Sequence, residues 1–169
     1  TLRVEQCEIF GFSSDGITVS APVQVSITDT TVRDNSGAGI YLDNGATATI
    51  SRVHALGNWI GICADPTVAS TVPAFISDTV ANNRGYGIVV SGATGRLAKA
   101  YVTRTVASGN LTYGIYAHSA NAASDSFLEV SSSVASRNGW GLANVGATFE
   151  SAGNNRVSGN TNADVLGTI

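Results

Sequence analysis

Residues 32–42 read VRDNSGAGIYL, and residues 80–90 read VANNRGYGIVV. Each holds a valine, then an asparagine, then a glycine followed by an aliphatic residue. Working outward, the glycine-aliphatic pair recurs at Gly16-Ile17, Gly39-Ile40, Gly61-Ile62, Gly87-Ile88, Gly114-Ile115 and Gly141-Leu142, with spacings of 23, 22, 26, 27 and 27 residues. Asn35, Asn58, Asn83, Asn110 and Asn138 precede these pairs, and Asn160 before Val165 reads as a weaker last copy. Val32, Val53, Val80, Val106, Val134 and Val157 precede the asparagines, with Ile9 in the first copy. A bare glycine-aliphatic pair is common; the three-part pattern, complete in five of the six copies, defines a repeat.

A helical repeat of this size needs amphipathic stretches of at least about ten residues, and none is present. Val and Thr favour strands, while Gly, Asn and Ser favour turns. One copy therefore reads as three short strands. The first follows the glycine (Ile40-Tyr41-Leu42), the second alternates (Val23 to Thr28, Ala98 to Thr103), and the third surrounds the valine (Thr31-Val32-Arg33). Three strands per coil, stacked, make an all-β parallel β-helix. Seven coils at ~4.8 Å give a rod of roughly 34 Å. The recurring Asn35, Asn58, Asn83, Asn110, Asn138 and Asn160 are expected to form a turn ladder. The glycine is expected to permit a sharp corner. Pro22, Pro66 and Pro73 are expected to lie outside central strands.

The 169 residues suit a single domain, residues 1–169. Only 12% are charged and the net charge is −3, without a basic stripe, so nucleic-acid binding is not expected. No apolar run is long enough for a membrane-spanning helix. Cys7 and Cys63 would stand about three rungs, near 14 Å, apart, too far to bridge; Cys7 reads as a core thiol. Polar residues from Asn154 suit 154–169 to a C-terminal capping coil, and the first coil shows no cap.

The Asn, Gly-aliphatic and valine pattern resembles the right-handed parallel β-helix repeat of the pectate-lyase-like superfamily over the whole chain. The segments TLRVEQCEIFGFSSDGI and ATFESAGNNRVSGN resemble parts of secreted bacterial β-helix repeat proteins without assigned activity. The resemblance implies a right-handed helix, export to the extracellular space or cell surface, and further coils upstream. In enzymes of that superfamily the substrate groove usually follows the outer face of the first strand. Alternation points Ile17/Val19, Ile40/Leu42, Ile62/Ala64, Ile88/Val90 and Ile115/Ala117 inward. Thr18, Tyr41, Cys63, Val89, Tyr116 and Ala143 then point outward, followed by Ser20, Asp43, Asp65, Ser91, His118 and Val145.

Asp43 and Asp65 would face one another about 5 Å apart on neighbouring coils. Such a pair suits glycosidic acid-base chemistry or Ca2+. Tyr41, Tyr116 and His118 share that face as candidate sugar contacts, and the two histidines stand too isolated for metal ligation. The family's enzymatic motifs are absent: there is no D-D, G-H-G or R-x-K, and Asp65-Pro66-Thr67 has Thr where alginate epimerases have D-P-H. No Arg can be placed beside the aspartates, so catalytic residues are not assigned. On the second strand, Phe75, Tyr101 and Phe127 recur every 26 residues and Phe149 follows at 22. One register exposes all four as a stripe for glycan or another chain; the other buries them. The expected function is an exported, non-catalytic module that binds polysaccharide or serves a surface-structural role. The alternatives are a polysaccharide lyase or hydrolase using the Asp pair, and a homo-oligomeric stalk joined by coil ends or the aromatic stripe.

Overall fold

A computed structural model describes all of residues 1–169. The chain is a right-handed parallel β-helix with three sheets of seven strands each. The first sheet contains Ile17–Ser20, Ala38–Asp43, Ile60–Ala64, Tyr86–Gly92, Tyr113–Ser119, Trp140–Val145 and Ala163–Leu166. The second contains Leu2–Glu5, Gln24–Thr28, Thr47–Ser51, Ser70–Ser77, Arg96–Thr103, Ser126–Ser131 and Thr148–Ser151. The third consists of three-residue strands: Glu8–Phe10, Thr31–Arg33, His54–Leu56, Val80–Asn82, Val106–Ser108, Val134–Ser136 and Arg156–Ser158. One apolar core runs inside all three sheets. The first-sheet inward pairs Ile17/Val19 through Ile115/Ala117 are all buried in it.

The repeat's valine does not occupy one structural slot. The inward column of the third sheet is Ile9, Val32, Ala55, Ala81, Ala107, Ala135 and Val157. Val80 pairs instead with His54 and Val106, and Val106 is exposed. Counting from the asparagine explains Val106 and Val134, which stand four residues before it where Val32 and Val157 stand three; Val80 stands three before Asn83, but that coil is one residue shorter between its inward Ala81 and the asparagine. A one-residue offset turns a strand residue to the other face.

The glycines work by close approach. Gly39, Gly61, Gly87, Gly114 and Gly141 lie within extended first strands, and none has a positive φ. A Cβ on Gly39 would lie 2.8 Å from both the Asn58 amide nitrogen and the Gly61 carbonyl oxygen. Asparagine and glycine therefore recur together because the amide ladder fills the space a glycine side chain would need.

Two other expectations are corrected. Pro73 lies inside the central strand Ser70–Ser77, tolerated because pairing toward Thr47–Ser51 begins only at Ala74. Cys7 is exposed, in the first coil, and both cysteines are free.

Candidate functional site

The outer face of the first sheet carries three aligned rows. The row before the core residues is Ala38, Ile60, Tyr86, Tyr113, Trp140 and Ala163. The next is Thr18, Tyr41, Cys63, Val89, Tyr116 and Ala143. In the third, Ser20 pairs with Asp43, while Ser91 pairs with His118 and His118 with Val145.

Between Tyr41 and Tyr116 stand Cys63 and Val89, so the two rings are three rungs, roughly 14 Å, apart and form no common platform. Ala38, Cys63 and Val89 make a small apolar cluster outside the sheet, covered by Tyr41, Ile60, Tyr86 and Tyr116. Burial, then the charges of Asp65 and Asp15, pushes the Cys63 thiol well above its ordinary range, so it is no thiolate nucleophile. The Tyr41 hydroxyl donates to the Asp65 carbonyl oxygen at 3.1 Å, and burial pushes this phenol up as well.

The platform joins Tyr116, which alternation placed on this face, to Tyr113, Tyr86 and Trp59, which that reading passed over. Tyr113 and Tyr116 stack at 4.4 Å with planes 12° apart. Tyr86 lies 5.6 Å from Tyr113 and 6.2 Å from Tyr116. Trp59, 47% exposed, meets Tyr86 edge-on at 6.1 Å. Gly85 seats the indole, since a Cβ there would lie 3.3 Å from its ring atoms. A sequence signal existed: Tyr86, Tyr113 and Trp140 each stand immediately before the repeat glycine.

Trp59, Tyr86 and Tyr116 line a shallow hollow of about 290 Å³ whose polar edge is Asp65, Ser91 and His118, and Tyr113 stacks against Tyr116 beside it. The Asp65 carboxyl is half-buried, and desolvation raises its pKa. A hydrogen bond from Ser91 and the charge of Arg96 oppose that rise; Asp43 adds to it and His118 opposes it. Arg96, which opens the lengthened strand Arg96–Thr103, acts on Asp65 by charge alone and forms no ion pair with it.

Asp43 does not face this hollow as a free carboxylate. Its Oδ1 accepts from the Asn44 and Thr67 amides, both at 2.6 Å, and its Oδ2 from the Thr67 hydroxyl at 2.7 Å. The Asp65-Pro66-Thr67 segment thereby locks the turn, and the two aspartates are not assembled as a glycosidase pair. The ring plane and its polar rim can stack on a sugar and bond its hydroxyls.

On the second sheet, Ala74/Ile76, Ala100/Val102 and Leu128/Val130 are inward, so Phe75, Tyr101 and Phe127 are outward. Phe75 and Tyr101 stack at 5.1 Å, and Phe127 lies 5.6 Å from Tyr101. Phe127 is one pleat out of line, because Tyr101 pairs with Glu129 and Phe127 with Lys99. Phe149 does not extend the stripe. It pairs with Leu128 and is 6% exposed, a core residue. Its 22-residue step from Phe127 exceeds by one the 21 residues that separate Phe127 from its partner Thr148.

The family model of the right-handed beta helix region matches residues 1–72, in agreement with the fold. No curated protein and no solved structure matches the chain. The chain is a β-helix repeat protein, and what it does rests on the site.

Proposed function

We propose that this β-helix is a non-catalytic, exported module that binds polysaccharide on the outer face of its first sheet. The observation that carries the reading is the stacked pair Tyr113 and Tyr116, joined by Tyr86 and Trp59, beside Asp65, Ser91 and His118. Flat apolar rings with a hydrogen-bonding rim suit a pyranose, which has an apolar face and polar edges. Export is part of the proposal and is supported by the resemblance to secreted repeats.

A glycan-array screen with product analysis tests it. The expected result is binding that Tyr113→Ala and Tyr116→Ala each weaken about tenfold, which is about 1.4 kcal/mol. Phe75→Ala, on the other sheet, is expected to leave binding unchanged, and no new sugar ends should appear. Binding lost through Phe75→Ala and kept in both tyrosine variants would overturn the proposal. The raised Asp65 carboxyl favours a second reading, in which it donates a proton in cleavage. New reducing or unsaturated ends, abolished by Asp65→Asn, would replace the first reading with this one.

A further inference from the structure

Four of the nine basic side chains, Arg3, Arg33, Arg52 and Arg104, form ion pairs, and Arg84 donates to the Asn35 carbonyl. Of the four others, Arg96, Lys99, Arg137 and Arg156, the last two share one hollow. Neither guanidinium makes a hydrogen bond or ion pair within the chain, and both line one hollow of about 330 Å³ on the third sheet. Its other walls are Ser136, Ser158 and Val134.

The strand register explains why these groups converge. Val134 pairs with Arg156 and Ser136 with Ser158, so the two hydroxyls stand one rung apart at ~4.8 Å. Arg137 follows Ser136 at a corner with φ +56°. The preceding and following coils place Gly109 and Gly159 at that corner, in register through the asparagine ladder. Those glycines carry no side chain, and the space at Gly159 is open. Arg137 therefore stands without side-chain neighbours in its own column, beside a second free guanidinium.

We infer that Arg137, Arg156, Ser136 and Ser158 form a binding site for a tetrahedral oxyanion, sulfate or phosphate, free or as an ester. Two guanidinium forks and two hydroxyls present more donors than a carboxylate's two oxygens can use. A tetrahedral dianion offers three or four oxygens and matches the two positive charges. The site lies on a different sheet from the aromatic face and does not depend on sugar binding there.

The test is NMR titration of the arginine Nε–H signals with sodium sulfate, sodium phosphate, sodium acetate and glucose 6-sulfate, at constant ionic strength and pH 7.5. The expected result is saturable shifts confined to Arg137 and Arg156, with acetate at least tenfold weaker than sulfate. Arg137→Gln and Arg156→Gln are each expected to weaken sulfate at least tenfold while the unfolding midpoint stays unchanged. Glucose 6-sulfate binding tighter than sulfate would assign the site to an ester; equal or weaker binding would assign it to the free ion. Unsaturable shifts spread over all arginines would overturn the inference, as would sulfate binding that survives either substitution.

Discussion

Two corners of the coil carry columns along the rod, one buried and one in water. Between the third and first sheets, buried asparagines bond one another. The Asn35, Asn58, Asn110 and Asn138 side-chain amides donate to the next asparagine's Oδ1 at 2.8–3.0 Å, and each backbone N–H from Asn35 to Asn138 donates to that same oxygen. At the last coil, Asp164 Oδ1 takes the place of the next asparagine and accepts from the Asn160 side chain at 2.8 Å. Between the second and third sheets the column is Gln6, Asp29, Arg52, Asp78, Arg104 and Ser132, all with φ of +47° to +54°. Arg52 forks onto Asp29, and Arg104 onto Asp78, at 2.6–2.8 Å. Distances alone would rank the charged column higher. Solvent reverses that ranking: a broken buried amide leaves donors without water, whereas a broken exposed pair is rehydrated at once.

Asn110→Ala breaks the buried column at three bonds. It removes bonds to the Ala81 carbonyl and Asn138 Oδ1 and leaves the Asn83 N–H unpaired. The expected loss is roughly 2–4 kcal/mol by urea unfolding. A loss below ~1 kcal/mol would mean that water enters the corner. Asn83 sharpens the same comparison. Its Nδ2 is buried with no partner, so truncation removes an existing penalty together with the bonds to Asn58. Asn83→Ala is expected to cost about 1 kcal/mol less than Asn110→Ala. Equal losses would show that the orphan amide costs nothing.

The buried column was legible because the asparagine repeats. The charged corner was not, because Asp, Arg, Gln and Ser share a backbone conformation and no side-chain chemistry. A buried hydroxyl column beside it was hidden similarly: Thr30, Thr79, Thr105 and Ser133 each donate to the carbonyl two residues earlier, and their spacing drifts with coil length. Alternation placed the first-sheet faces because a constant glycine anchors the count. It failed for Phe149 because a short last coil changes parity. The aromatic site was half visible: Tyr116 fell on the counted face, but Tyr86 and Tyr113 stand two residues before the inward Ile88 and Ile115, where simple alternation would turn them inward. That the charge of Arg96 reaches Asp65 depends on a lengthened coil, which no local pattern announces.

The smallest expected effect separates backbone from charge at the exposed corner. Arg104 sits at φ +47°, where a β-carbon is unfavourable and glycine is not. Its bond to Asp78 holds that carboxyl below its ordinary range. A depressed carboxyl contributes stability above its unfolded pKa and loses it as pH falls through the folded one, so the pair acts at neutral pH and fades in acid. In 1 M salt the screening length is only about 3 Å, and little remains of the pair at any pH. Arg104→Gly removes the pair and the strain together. At low salt and pH 7 the two changes oppose each other, and the thermal midpoint should stay near that of the unsubstituted protein. In 1 M salt, or in acid once the Asp78 carboxyl is protonated, only the relief of strain remains, and the variant should melt higher. If the unsubstituted protein keeps the higher midpoint in 1 M salt, the pair resists screening, and the contrast between the two corners is one of chemistry and not of water.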